Sequence, residues 1–379
     1  MLQKFKNYLF GSVFRRGATL LTVLTFGSYL LGLVRDIVFA HSFGASRLLD
    51  VYNAAFIIPD LLLNIFVAGA LTAAFVPIFT HLLATGEDNE AEKVATTMLA
   101  AAPFAILLIG IPAFIFMPDL ASLVAPGFSG ADKTLLILMS RLLLLSPIIF
   151  AASNTLGNVL ISYEKFFGYG LSPMLYNLGI IAGALLVGTL GPVGLVLGTI
   201  AGALLHLLIR IVAVLKTPFR ARSPINLGNS NFLKILKLML PRMAGQPIEQ
   251  ITFFIFTSMA SALAIGSIAI LNFARNFESV PVSLFGISFS TAIFSSLSRK
   301  AALKDRAGFI YHLKETGKAL AVMSGLSMLF YFIFSTWVVR LFFGGGRFGE
   351  ADILRTGSLL AIFALSIPAE SFIHLLVRA

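Results

Sequence analysis

The chain is 379 residues long, 58% hydrophobic and only 12% charged, with a mean hydropathy of +0.93 and 36 phenylalanines. A soluble domain of this length carries about twice that share of charge, so the composition excludes one. With no cysteine there is no disulfide framework, thiolate metal site or thiol nucleophile, and the net charge of +11 must be explained by where the basic residues fall.

Apolar runs sufficient to cross a hydrocarbon core about 30 Å thick recur along nearly the whole chain. The sequence predicts an all-α polytopic membrane protein with about ten spans, near 19–41, 52–82, 94–117, 134–160, 168–189, 192–214, 238–263, 266–298, 319–343 and 353–377. Ahead of them, residues 1–18 mix Lys4, Lys6, Arg15 and Arg16 with Phe and Leu at helical spacing, without a small-residue cleavage pattern. This is no cleavable signal and reads as an amphipathic helix on the inner membrane face. With the N-terminus placed in the cytoplasm, eighteen Lys and Arg fall on inner segments. The outer loops hold only Arg47, Lys133, Arg347 and Arg355. That asymmetry fixes the orientation and assigns the positive charge to topology and anionic headgroups, not to nucleic acid.

The first two spans hold the most informative stretch, from Gly27 to Pro77. Arg35 and Asp36 stand together inside the first span, Arg47 and Asp50 lie in the hinge, and Pro59 and Asp60 follow where the second helix begins. Charges there are costly in lipid and need a protein-lined or watered space. The loop Thr85 to Lys93 reads as a solvated acidic linker, and Pro118, Pro126 and Gly127 are expected to break any helix in the outer loop before the fourth span. Ser153, Asn154, Asn158 and Tyr163 mark one side of that span, for helix–helix hydrogen bonds or for a cavity lining. Gly183, Gly194, Gly198 and Gly202 predict close approach of the fifth and sixth spans.

Residues 216–237 carry two prolines, five basic residues and a Gly-Asn-Ser turn cluster. They divide a first six-span domain (19–215) from a partial second one (238–379). In the second, Pro241 and Pro247 should kink or break the seventh span, where Arg242 and Glu249 pair with each other or face a cavity. Arg275, Glu278 and Pro281 in the eighth span occupy a place comparable to the hinge, Pro59 and Asp60. Broken helices in two related bundles are a transporter pattern. The tenth span holds Pro368, Glu370 and His374.

No enzyme constellation emerges. The five histidines lack metal-ligand spacing, there is no Walker motif, and GGGRFGEAD neither follows a strand nor precedes Lys-Ser/Thr. Carboxylates near the membrane interior are few and unpaired in sequence, which gives little basis for hydrolytic acid–base chemistry.

The stretch LGLVRDIVFAHSFGAS...DVYNAAFIIPDLLLNIF, followed by SPMLYNLGIIAGALL, MLPRMAGQPIEQ, GSIAILNFARNFESVPVSLFG and VVRLFFGGGRFGEAD, resembles the MurJ (MviN) lipid II flippases, in the same order along essentially the whole chain. The resemblance implies the multidrug/oligosaccharidyl-lipid/polysaccharide exporter fold, with a six-helix N-lobe and, here, an incomplete C-lobe in a V around a central cavity. It implies a bacterial cytoplasmic (inner) membrane location and transfer of an undecaprenyl-diphosphate-linked peptidoglycan precursor between leaflets. It also implies cell-wall synthesis proteins as partners and no cofactor, with coupling to membrane potential or an ion. The family has more spans than this chain, which is therefore expected to be C-terminally shortened.

Several positions depart from the family pattern. Tyr29 follows Ser28 where Arg is usual, Leu63 and Asn64 follow PDLL in place of two arginines, and Ala68 replaces a Glu. Asn276 replaces an Arg, with Arg275 displaced by one step of about 100° on a helix. Arg35, Asp36 and Asp50 match. A diphosphate headgroup needs cationic donors, which Arg supplies as a bidentate fork. Each lost charge-assisted bond removes roughly 1.5–3 kcal/mol. The candidate headgroup-cavity set is Arg35, Asp36, Asp50, Asn64, Arg242, Arg275 and Glu278. Arg35–Asp36 is also readable as a structural pair or interfacial anchor, and Asp50 as a helix-start residue. Besides lipid II flipping, export of another lipid-linked polysaccharide or amphiphile and a non-transporting membrane scaffold remain open.

Overall fold

A computed structural model describes residues 13–66, 68–243 and 247–377 of the chain. Residues 1–12, which hold most of the expected surface helix, lie outside the described residues. Helix follows helix: α1 (Val13–Phe43), α2 (Arg47–Ala55), α3 (Ile57–Phe66), α4 (Ala68–Ala84), α5 (Asp88–Ile115), α6 (Met117–Val124), α7 (Gly130–Leu143), α8 (Leu145–Ser162), α9 (Phe166–Leu185), α10 (Val187–Leu190) and α11 (Val193–Val214). After the connecting segment come α12 (Ser230–Met243), α13 (Pro247–Ser261), α14 (Ser267–Pro281), a π-helical segment π1 (Val282–Ile287), α15 (Ser288–Ala302), α16 (Arg306–Phe343), α17 (Glu350–Ala364) and α18 (Ile367–Leu376). The only extended pairing among the described residues is a single bridge between Gly345 and Phe348.

Five of the described helical stretches are long and apolar enough to cross a membrane unbroken, and α17 with α18, bent by 44°, makes a sixth. The fifth expected span is formed mainly by the 20-residue α9, and the others are built from shorter helices whose breaks have local causes. The span expected at 52–82 is divided among α2, α3 and α4. Pro281 has no amide hydrogen to give the preceding turn, and the helix re-registers as π1 directly after it. Pro247 opens α13 and Pro368 stands in the first turn of α18, positions where a missing N–H costs nothing. Pro118 does the same for α6, so the outer loop expected to be irregular contains a helix, broken only from Ala125 on. Helix α12 starts ahead of the expected 238 because Asn229 caps it, its Oδ1 accepting from the amides of Asn231 (2.9 Å) and Phe232 (3.0 Å).

The chain packs as two compact units. The first comprises the described residues up to Phe39 together with Asp50–Ala264, and the second Ala40–Leu49 with the described residues from Ile265 on. The first unit has a core in which Phe75 and Phe79 of α4 meet Val94 and Met98 of α5, Val159 of α8, and Phe232 and Ile235 of α12. The segment before α12 is tied to α5: Arg222 N donates to Glu92 Oε1 (2.8 Å), Asn226 N to Thr97 Oγ1 (3.0 Å) and Asn229 Nδ2 to Glu90 Oε1 (2.5 Å). These contacts explain why α12 belongs with the first unit by packing. In the second unit Phe273 and Phe277 of α14 meet Phe343 and Phe348 in edge and tilted ring contacts. Within the same unit, Arg347 N donates to His41 O (2.9 Å), and Ala45 N donates to Asp352 Oδ2 (3.3 Å).

The glycines of the fifth and sixth expected spans bring α9 and α11 together as the sequence predicts. A Cβ on Gly183 would sit 2.6 Å from both Gly194 O and the Cα of Gly198, inside any real contact distance. Gly188, by contrast, faces open space. We therefore expect Gly183→Leu to separate α9 from α11 and cost about 1–3 kcal/mol or more, read as a lower unfolding temperature of the purified protein, while Gly188→Leu leaves it unchanged.

Candidate functional site

Two polar clusters hold the candidate residues, one in each unit. In the first unit Arg35 projects from the middle of α1. Its Nε (3.0 Å) and Nη2 (2.8 Å) both donate to Asp36 Oδ1, and its Nη1 donates to Asn177 Oδ1 of α9 at 3.1 Å. The Asp36 side chain is 8% exposed and that of Arg35 25%. Arg35 uses three of its five N–H donors in these bonds, leaving two without a partner among the described residues.

Asn177 is fixed by its own helix. Its Nδ2 donates back to Pro173 O (3.1 Å), which turns Oδ1 toward Arg35. Pro173 also deprives Tyr169 O of the amide donor it would meet one turn on, and Ser172 Oγ supplies that bond at 2.8 Å. Ser172 Oγ then accepts from Arg210 Nε of α11 (2.9 Å), and Arg210 Nη1 donates to Ser153 O (2.9 Å) and Asn154 Oδ1 (3.0 Å). Arg210 is buried, lies over the Tyr169 ring at 4.8 Å, and has no carboxylate among its hydrogen-bond partners in the described residues. Beside it Ser153 Oγ is hydrogen-bonded to His206 Nδ1 at 2.8 Å. The polar side of the fourth expected span is thus spent on helix contacts: Ser153 and Asn154 on α11, Asn158 Oδ1 accepting from Thr72 of α4 (2.9 Å), and Tyr163 edge-on to Phe79.

Near Arg35, buried Tyr52 of α2 is hydrogen-bonded to Thr199 of α11 at 2.7 Å and packs edge-on against Phe39. Asp50 is buried in the first turn of α2, where a carboxylate complements the helix N-terminus. Asn64 is half-buried and donates to Asp60 O within its own helix at 3.0 Å, so it serves the backbone of α3. Tyr29, where the family pattern has Arg, is exposed on α1. Arg242 lies in α12 and Glu249 in α13, but their side chains, like that of Ala68, fall outside the described residues.

In the second unit Arg275 is half-buried on α14, one turn before Glu278. Glu278 is 4% exposed and accepts from Ser366 Oγ at 3.3 Å, and Ser366 Oγ also reaches Glu370 Oε1 at 3.0 Å. The two carboxyls are themselves within hydrogen-bonding reach. Sequence spacing concealed this pairing, because 92 positions separate the two. Arg210 was within reach of sequence reasoning: an arginine inside the apolar run HLLIRI is an intramembrane charge in its own right. Among the described residues no group of three or more His, Cys, Asp or Glu is placed to hold a metal. An apolar groove of about 330 Å³ lined by Leu21, Val76, Ile161 and Phe166 includes none of the candidate residues.

Chemically, the first cluster presents a guanidinium held from two sides, suited to a phosphate or carboxylate group. The second presents a buried carboxyl, Glu278, and an exposed one, Glu370, on either side of one serine hydroxyl. A sequence model of the family described as lipid II flippase MurJ matches residues 39–379. The chain is 31% identical over 353 residues to the Borreliella burgdorferi protein named Probable lipid II flippase MurJ, covering 92% of this chain and 69% of that one. It is 30% identical over 355 residues to Lipid II flippase MurJ of Thermosipho africanus, covering 92% and 70%. Among solved structures it superposes on a lipid II flippase MurJ in an inward closed conformation with a TM-score of 0.80 at 28% identity, over 95% of this chain and 75% of that one. It also superposes on an inward-facing multidrug resistance MATE family transporter of the MOP superfamily, with a TM-score of 0.71 at 16% identity, over 93% and 82%; that second likeness is one of fold.

Loss of Asp36 leaves a guanidinium in the membrane without its counter-ion. We expect Asp36→Ala to destabilise the protein by about 3 kcal/mol, the low end for a broken buried pair because Arg35 keeps some exposure. Asn177→Ala should cost about 1.5 kcal/mol. Thermal unfolding of the detergent-purified variants gives the order.

Proposed function

The chain belongs to the lipid II flippase MurJ family, and on that premise we propose that it moves the undecaprenyl-diphosphate-linked peptidoglycan precursor from the inner to the outer leaflet by alternating access. It is a multi-pass membrane protein of a transporter family. The asymmetry of its basic residues supports a cytoplasmic N-terminus, and the substrate supports residence in the bacterial inner membrane.

The observation that carries the reading is Arg35. A diphosphate needs a cation that is oriented yet not fully neutralised. Arg35 is oriented by Asp36 and Asn177, a quarter exposed, and keeps two N–H donors uncommitted among the described residues. In this reading Asp36 and Asn177 are positioning residues, Arg35 engages a phosphate of the headgroup, and the polyprenyl tail stays in lipid. Arg275 and Arg242 add positive charge to the headgroup path, with Asp50, Asn64 and Glu278 in the same proposed set. Because Asn64 is bonded to its own helix backbone, its contribution is the weakest of these. Membrane potential supplies a bias, since one charge moved through 100 mV is worth about 2.3 kcal/mol. The names of the relatives do not favour another exported lipid-linked polysaccharide or a non-transporting scaffold.

The test is depletion of the gene in its host with measurement of the precursor's leaflet distribution. Depletion should leave the headgroup on the inner leaflet. Re-expression of Arg35→Ala should restore at most about a tenth of the outward transfer, the loss of one charge-assisted bond. An unchanged distribution on depletion, or full transfer by Arg35→Ala, contradicts the proposal.

A further inference from the structure

The second unit contains a hinge whose two sides are joined by carboxyls. The α17–α18 pair bends by 44° at a break, and Ser366 stands in that break, immediately before α18. Its hydroxyl lies within hydrogen-bond distance of Phe363 O (2.9 Å) in α17, Glu370 Oε1 (3.0 Å) on α18 and Glu278 Oε1 (3.3 Å) on α14. Four positions beyond Glu278 the helix loses its regular register, as Val282 begins π1. Gly286 of that segment packs so closely on α18 that a Cβ there would lie 2.8 Å from the Cα of Ser371. Two irregular helices are therefore in close contact, and Glu278, Ser366 and Glu370 form the polar link between them.

The chemistry of that link is constrained. A serine has one proton to donate and cannot serve both carboxylates at once. Two ionised carboxylates within hydrogen-bonding reach repel, and although Glu370 is exposed, burial of Glu278 weakens the screening on its side of the pair. Other charged and titratable side chains stand around the pair. Arg275 lies one turn before Glu278 on its own helix, and half-buried His374 lies one turn beyond Glu370 on its own. Tyr331 of α16 is the titratable side chain near Glu278 from that helix. Arg355 of α17 is engaged at the far end of α14, with Ile265 O (3.1 Å) and Ser267 Oγ (2.9 Å).

We propose that Glu278 and Glu370 share one proton and act as a pH-sensitive pin across the hinge at Ser366. With the proton in place one carboxyl donates to the other, Ser366 completes the set, and α14 is held to the break. When the proton leaves to water, two negative charges face each other and α14 separates from α18. In the transport cycle the pin couples the conformation of the second unit to protonation. That last consequence rests on the flippase reading, whereas the shared proton does not.

Infrared difference spectroscopy of the full chain in lipid, between about pH 5 and pH 9 where buried and paired carboxyls titrate, detects the protonated carboxyl directly. The expected result is a protonated-carboxyl band that disappears toward alkaline pH in the wild type and is absent from both Glu278→Gln and Glu370→Gln. No such band, its survival in both variants, or its loss in only one overturns the sharing. The same proteins in vesicles containing lipid II give the second readout. Wild-type flipping should fall as the pH rises through the loss of the band, and Glu370→Gln, a fixed neutral side chain outside the proposed headgroup set, should remove that dependence. An unaltered pH profile in Glu370→Gln overturns the coupling. An absence of flipping at every pH counts against the flippase reading and leaves the infrared result standing.

Discussion

An arginine in a membrane span must be given partners by the protein, and much of the first unit can be understood from how two of them are given theirs. Arg35 on α1 and Arg210 on α11 are both served by α9, from residues on either side of Pro173: Asn177 accepts from the first and Ser172 from the second. The proline matters to both. It removes a backbone donor, which orients Ser172, and its carbonyl anchors the amide of Asn177. The glycines that let α9 lie against α11 bring the helix close enough for Ser172 to reach Arg210. A helix that looks like a packing element in composition is thereby the holder of both of these arginines.

The two arginines are held differently, and the difference sorts structure from function. Arg210 is buried, bonded to neutral acceptors on α8 and α9, and covered by the Tyr169 ring. It has the surroundings of a structural staple. Arg35 has a carboxylate on one side, an amide on the other and a quarter of its surface open. A side chain so placed is pre-oriented, and a ligand that binds it does not meet the full entropic cost of ordering it. The second unit uses the opposite charge: its polar link is a buried and an exposed carboxyl across a helix break, which is a protonation problem and not an anion-binding one.

The fold class was legible in the sequence because hydropathy, the scarcity of charge and the asymmetry of basic residues all act over long windows. The α9–α11 contact was legible too, since glycine at i and i+4 leaves a groove whatever the partner. Helix boundaries were less so. Asn229 moved α12 forward and Pro118 started a helix it was expected to break, because a cap or proline acts according to which side of it the helix lies. At the site, the Arg35–Asp36 contact could be read from adjacency. Asn177 could not, being 142 positions from Arg35, nor could the meeting of Glu278 with Glu370. Asn64 stands where the family pattern has an arginine, but its side chain serves its own backbone, a choice that only the local geometry reveals.

The central claim is that Arg35, held by Asp36 and Asn177, binds the phosphate of a lipid-linked headgroup. Its most direct test is the equilibrium affinity of lipid II for the purified chain in nanodiscs, compared between wild type, Arg35→Gln and Asn177→Ala. The account predicts that Arg35→Gln weakens binding by about tenfold or more, the equivalent of one charge-assisted bond, and that Asn177→Ala weakens it by less. Affinity equal to wild type in a folded Arg35→Gln protein would contradict it.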